Sequence, residues 1–168
     1  MKMWRVFLYF LAVTLVFFSC SGEEGFYVSQ AGVDQNTPDF TLLNLNKEPV
    51  TLSSFREKRP ALLFFWATWC PFCRQQIPEL VRLRDQYSRE ALEILAIDIQ
   101  ETGEEVAPYA EKMGMNYTVL LDATGAVSGS YGIVGVPTLI LVDKEGKRIH
   151  TDHALTRELL GAIKKSVS

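Results

Sequence analysis

The sequence predicts an α/β chain with a mixed central sheet flanked by helices on both faces. Three observations carry that reading. From Pro38 onward, strand-like and helix-like blocks alternate, the pattern of crossover units around a largely parallel core. Residues 61–67, Ala-Leu-Leu-Phe-Phe-Trp-Ala, form a continuous apolar run suited to a strand buried on both faces. Near the C-terminus, Asp143-Lys144-Glu145-Gly146 separates two strand-like runs and turns them into an antiparallel hairpin, so the sheet is not purely parallel.

The elements follow in chain order. Residues 40–45 and 50–52 make a short hairpin around Asn46-Lys47-Glu48-Pro49. Residues 61–67 are the buried strand. Residues 71–88 carry helical apolar spacing at Ile77, Leu80, Val81 and Leu83, and Pro78 inside them predicts a kink. Residues 92–99 are a strand with Ile94, Ala96 and Asp98 on one face. Residues 104–113 are a helix ended by Gly114. A strand over 117–121 and a short helix over 127–131 come next, then the closing hairpin, 138–142 with 147–151. Thr156 caps the last helix, with Glu158 in its first turn and Lys164-Lys165 in its last.

Composition narrows the function. A chain of 168 residues is one domain plus short extras. With 48% hydrophobic and 22% charged residues it packs rather than staying disordered. The net charge of -3, with no basic run longer than three residues, excludes the electrostatic footprint of nucleic-acid binding. Three cysteines are too few for a disulfide-stapled scaffold, so each needs its own explanation.

Residues 1–19 read as a signal peptide. Lys2 and Arg5 precede residues 6–18, which are apolar except for Tyr9 and Thr14. At ~1.5 Å per residue that run is short of a ~30 Å hydrocarbon core. Ser19-Cys20 closes it, and the junction resembles the lipobox of bacterial lipoproteins, although Phe17 and Phe18 are bulkier than usual there. The resemblance implies cleavage before Cys20 and acylation of its sulfur, which would fix the chain to a lipid bilayer. The alternatives are an uncleaved anchor, since Met3 and Trp4 extend the run, and a freely secreted form. All three place the domain outside the cytoplasm. Removing residues 1–19 takes the basic residues from 17 to 15 against 20 acids, so electrostatics offers no attraction to an anionic bilayer and the lipid is the anchor. Residues 20–37 read as a polar tether and residues 38–168 as the folded domain.

The chemistry concentrates in Trp66-Ala67-Thr68-Trp69-Cys70-Pro71-Phe72-Cys73. Two cysteines separated by two residues can close into a small disulfide ring. Here they sit where a buried strand ends and a helix begins. Unpaired N–H groups and the positive end of the helix dipole stabilise an anion there, so the Cys70 thiol is expected below its usual ~8.5. The thiolate is the species that attacks a disulfide, and Cys73, one turn in, is the resolving thiol. Pro71 fits the first helical turn, where its missing N–H costs nothing. Phe72 adds no charge to stabilise the thiolate further.

With these residues the chain resembles the thioredoxin superfamily, and within it the TlpA/ResA-like thiol–disulfide oxidoreductases anchored outside the bacterial inner membrane. The match rests on Pro38-Asp39-Phe40, Phe65-Trp66-Ala67-Thr68-Trp69-Cys70, Cys73-Arg74, Pro78, Val136-Pro137-Thr138 and Asp143-x-x-Gly146. Residues 101–127 look like the helical insertion of that subgroup. The resemblance implies a thioredoxin fold and a cis bond before Pro137. It places the Val136 backbone beside the Cys70 sulfur, where a substrate peptide pairs as an extra strand. It also implies protein dithiol and disulfide substrates, a membrane electron donor, a role as reductant in cytochrome c maturation, and no organic cofactor or metal. Trp69 is expected to form an exposed apolar platform for substrate, and Trp66 to pack beneath the site.

Two departures from the family matter. The buried Asp of thioredoxins, often Asn in this subgroup, is replaced by Phe64. The Glu three residues after the second cysteine is Gln76. Either carboxylate would shuttle the proton of the buried thiol. Asp98 is one candidate replacement, against the plainer expectation of a solvated carboxylate at a strand end. Three other readings compete. Zinc would need two ligands beyond Cys70 and Cys73. The only histidines, His150 and His153, lie more than 70 residues away and are expected to be solvated near the last hairpin. A thiol peroxidase would resemble Pro-x-x-x-Thr-x-x-Cys, but those positions hold Leu63 and Ala67. A redox-inactive adaptor or chaperone on the same scaffold would tolerate the loss of one cysteine, yet both are present.

Overall fold

A single seven-stranded sheet organises the chain in the computed structural model, which describes residues 36–55 and 58–168. The expected signal peptide, Cys20 and the expected tether up to residue 35 lie outside the described residues. The strands are β1 (Thr41–Asn44), β2 (Pro49–Thr51), β3 (Ala61–Trp66), β4 (Glu93–Ile99), β5 (Thr118–Asp122), β6 (Thr138–Val142) and β7 (Arg148–Asp152). The helices are α1 (Pro71–Gln86), α2 (Gly103–Lys112), α3 (Ala126–Ser130) and α4 (Arg157–Ser166).

The sheet order is β2-β1-β5-β4-β3-β6-β7. The β3–β4 and β4–β5 pairs are parallel and all the others antiparallel. This is a mixed sheet with the N-terminal hairpin at one edge and the 143–146 turn at the other. The crossover from β3 to β4 carries α1, and that from β4 to β5 carries α2, because parallel neighbours need a long return path.

Every residue of β3 is buried. Its side chains alternate between two cores. Leu62, Phe64 and Trp66, with Ile94 and Ala96 of β4, pack against Cys73, Ile77 and Leu80 of α1 and against α2 and α4. Leu63 and Phe65, with Leu95 and Ile97, pack on the opposite face against Phe40, Leu52, Tyr131 and Val127 of α3. Each such side chain contributes about 1.5–3 kcal/mol by leaving water. Two cores on one strand explain its unbroken apolar run.

The structure adds to the sequence expectations in two places. The helix runs unbroken through Pro78, which sits on the exposed side beside Arg74, so the missing amide falls on the solvent face. Asn36 bridges Lys147, and Thr37 donates through both its amide and its hydroxyl to the Gly146 carbonyl. The sequence reading ended its tether at residue 37, yet these two residues are already fastened to the β6–β7 turn. Among the described residues, no helix is long and apolar enough to cross a membrane.

Candidate active site

The site forms where β3 ends. Cys70 closes the turn after β3, its amide N–H donating to the Ala67 carbonyl at 3.2 Å. It then caps α1 in extended conformation, its sulfur accepting the Cys73 N–H at 3.1 Å. Pro71 occupies the first helical position, where no amide hydrogen is needed. Cys70 and Cys73 form a disulfide with their Cα atoms 5.3 Å apart. Both are buried, Cys73 completely.

Facing them is the loop before β6. The Val136–Pro137 bond is cis, and the Val136 carbonyl oxygen lies 3.6 Å from the Cys70 sulfur. Two grooves flank this contact. One is lined by Trp69, Ile99, Gln100, Gly125, Val134 and Val136. The other is lined by Phe72, Gln76, Val134, Pro137, His153 and Ala154. Around them Trp69 is 68% exposed, Phe72 66% and Val134 98%. Large apolar side chains left in water beside a reactive sulfur mark a surface that meets a partner. Trp66, by contrast, is fully buried, stacked on Phe64 with ring centroids 6.2 Å apart and packed beside Tyr109.

The positions where the family carries an acid are otherwise occupied. Phe64 is fully buried in the α1-facing core. Gln76 accepts the Leu155 amide at 2.8 Å through its side-chain oxygen, tying α1 to the loop after β7. Leu63 and Ala67 are buried and apolar, so no hydroxyl stands where a peroxide pocket would require one.

Two acids stand close by instead. Gln100, in left-handed conformation at φ 60°, turns the chain at the end of β4. Glu101 then reaches back to the active-site turn and accepts both the Thr68 amide at 2.6 Å and the Thr68 hydroxyl at 2.5 Å. Asp98 is fully buried, which corrects the expectation of a solvated strand-end carboxylate. The strand continues one residue past it, to Ile99. Neither Asp98 oxygen has a hydrogen-bond donor in good geometry, although the Glu101 amide lies near enough to pull its carboxyl down in part. Burial pushes its carboxyl up to about 8. The neighbouring Glu101 pushes the same way, since it can share a hydrogen bond only with the protonated acid.

Both histidines lie by the last hairpin, as expected, and one of them also reaches the site. His150 lies 3.6 Å from the Asp152 carboxylate. His153 is exposed, but its Nδ1 sits 2.9 Å from the Pro137 carbonyl oxygen and 3.3 Å from the Thr138 hydroxyl. Sequence reasoning missed this link because His153 is 16 residues from Pro137 and joins it only across the β6–β7 pair. Among the described residues, no group of three metal-binding side chains converges.

A parallel sheet end carrying a cysteine pair at a helix N-terminus, opposite a cis-proline, defines a thioredoxin-fold thiol–disulfide oxidoreductase. The AhpC/TSA family model matches residues 33–150, and the chain belongs to that family. It is similar to the thiol-disulfide oxidoreductase ResA of Geobacillus thermodenitrificans, 34% identical over 115 residues, a match covering 68% of this chain and 66% of that protein. It is similar in structure to the thioredoxin domain of a thiol-disulfide oxidoreductase from Bacteroides vulgatus, with TM-score 0.71, 26% identity, and coverage of 79% of this chain and 96% of that one. A secreted disulfide oxidoreductase of Mycobacterium tuberculosis, homologous to E. coli DsbE, superimposes with TM-score 0.66 at 25% identity, covering 75% of this chain and 95% of that one.

Proposed function

We propose that this oxidoreductase works outside the cytoplasm, tethered to the membrane by lipid on Cys20, and that it exchanges disulfides with protein substrates as a reductant in cytochrome c maturation. Residues 1–19 are the signal peptide and the residues from Cys20 onward the tether, which gives way to the catalytic domain at Asn36 and Thr37, two residues before the expected start at 38. Cys70 attacks the substrate disulfide and Cys73 resolves the mixed disulfide. Trp69, Val136 and Pro137 hold the substrate chain. A membrane electron donor returns the pair to the dithiol. The secreted Mycobacterium relative and the lipobox-like junction at Ser19-Cys20 support the location.

One observation carries the mechanism: the Cys70 sulfur caps α1 and lies 3.6 Å from the carbonyl that precedes cis-Pro137. The helix N-terminus stabilises the attacking thiolate. The Val136 backbone and the exposed Trp69 lie where an extended substrate segment would present its sulfur.

The test is a trap. A Cys73→Ser variant attacks but cannot resolve, so partners accumulate as disulfides on Cys70 and mass spectrometry names them. Apocytochrome c or its assembly factors among the adducts would support the cytochrome role. A complete absence of Cys70-linked adducts in cells would overturn the exchange mechanism and leave an adaptor on a thioredoxin scaffold.

A further inference from the structure

We propose that the buried Asp98–Glu101 carboxyl pair is the proton store of the dithiol, taking the place of the acids absent at Phe64 and Gln76. The inference rests on the reading that Cys70 attacks and Cys73 resolves. It names the group that manages the Cys73 proton.

The geometry begins with register. Asp98 pairs with Trp66 across the parallel β3–β4 ladder. Strand alternation then puts its side chain on the face that carries Ile94, Ala96 and Trp66. That face is the one covered by α1, and its packed cluster includes Trp66, Cys70 and Cys73. Asp98 therefore belongs to the layer in which the resolving sulfur is buried. The second link is Glu101, which grips both donors of Thr68 two residues before Cys70. One carboxyl of the pair is thus fastened to the turn that carries the dithiol, and the other lies within the core beneath it.

The burial needs an explanation. A carboxylate out of water is costly when neither oxygen finds a donor in good geometry; the Glu101 amide lowers its carboxyl, but less than burial raises it, and the indole N–H of Trp66, its pair across the ladder, is also buried without a partner. Two carboxyls in contact solve the problem by holding one proton between them, because like charges so close disfavour joint ionisation. The other charged group that acts on Asp98 is Glu105 on α2; the same packed layer holds the two sulfurs at the N-terminus of α1 and the Tyr109 phenol, whose ring meets Trp66 and whose hydroxyl accepts from Arg74. Only the sulfurs change protonation during exchange.

The step balances as follows. In the mixed disulfide between Cys70 and substrate, the pair in its fully ionised form, which fills as pH rises through about 8, takes the Cys73 proton and then holds that one proton between its carboxyls. Its sulfur attacks the Cys70 sulfur. The Cys73–Cys70 bond forms, and the bond from Cys70 to the substrate sulfur breaks. The substrate leaves as thiolate with the electron pair and is reduced. The two protein cysteines are oxidised, and the stored proton passes to solvent or to the departing thiolate. In the reverse direction the pair gives its proton to the departing Cys73.

Reduced protein mixed with an aromatic disulfide reports both thiols in the stopped-flow. A first phase releases one aromatic thiolate as Cys70 attacks, and a second releases another as Cys73 resolves. In the wild type, absence of the first phase would refute attack by Cys70, the reading beneath this inference. With that phase present, the second phase of the wild type is expected to rise with pH and level off near pH 8. Asp98→Asn should slow it at that pH on the order of 100-fold, the low end of what a positioned acid–base group contributes, and should remove the plateau. Glu101→Gln takes away the neighbour that disfavours ionisation, so the midpoint should move to lower pH. A second phase in Asp98→Asn matching the wild type from pH 6 to 9 would overturn the inference. So would an unmoved midpoint in Glu101→Gln, which also decides the case if the Asp98 variant fails to fold.

Discussion

Asp98 also couples the active site to stability, and the sign of that coupling follows from its carboxyl. In the unfolded chain an Asp titrates at ~3.9, whereas burial and Glu101 raise the folded value to about 8. Between those values the unfolded chain has lost the proton and the folded protein still holds it. Folding takes up a proton throughout that window, so stability falls as pH rises across it. Asn is neutral in both states. Asp98→Asn should flatten the dependence, gaining on the wild type between about pH 5 and pH 8. Urea midpoints at the two pH values read this directly, and parallel curves for the two proteins would show that Asp98 is ionised in the folded state. Gln76 shows the converse. Where relatives place an acid, this chain places a neutral amide that accepts the Leu155 amide at 2.8 Å and so fixes the wall of the groove beside Pro137.

At the scale of elements, α1 has two ends with separate tasks. Its N-terminus holds the cysteines. Its C-terminus is closed by Arg84, a nearly buried guanidinium that donates to the Tyr87 carbonyl, to Ser88 at 2.8 Å and to Leu92 at 2.8 Å. These carbonyls belong to the turn that leads into β4, so one side chain ends the helix and shapes the return of the crossover. Arg84→Met keeps the apolar stem but leaves the carbonyls without a donor. The cost should be about 2–4 kcal/mol, read from the denaturant midpoint. Exchange at Cys70 should persist, since α1 separates the two ends by roughly 20 Å. An unchanged midpoint would mean that water replaces the guanidinium without loss. The β4–α2 connection follows the same logic. The left-handed Gln100 directs Glu101 back to Thr68, and the Thr102 amide donates to Glu105 at 2.9 Å to start α2.

For the whole molecule, the alternation of apolar runs and turn residues made the sheet, its helices and the dithiol readable from sequence, because each rests on local periodicity or on a motif. What could not be read depends on distant residues meeting. Asp98 shows the boundary: period-two alternation puts it on the face of Ile94 and Ala96, but the Glu101 carboxylate comes beside it only through the left-handed turn at Gln100. His153 reaches Pro137 only because β6 and β7 pair, and Asn36 and Thr37 join the domain only through the β6–β7 turn. The same assembly of distant parts creates the site. The sheet sets the end of β3 and the start of β6 side by side, so the mouth of α1 opens against the Val136 carbonyl. The account stands on what that placement does to one sulfur. Alkylation of the reduced protein by iodoacetamide across pH 5 to 10, with each thiol followed by mass spectrometry, measures it. We predict that Cys70 reacts with a midpoint clearly below the ~8.5 of free cysteine while Cys73 remains slow. A Cys70 midpoint at or above that value would contradict the account.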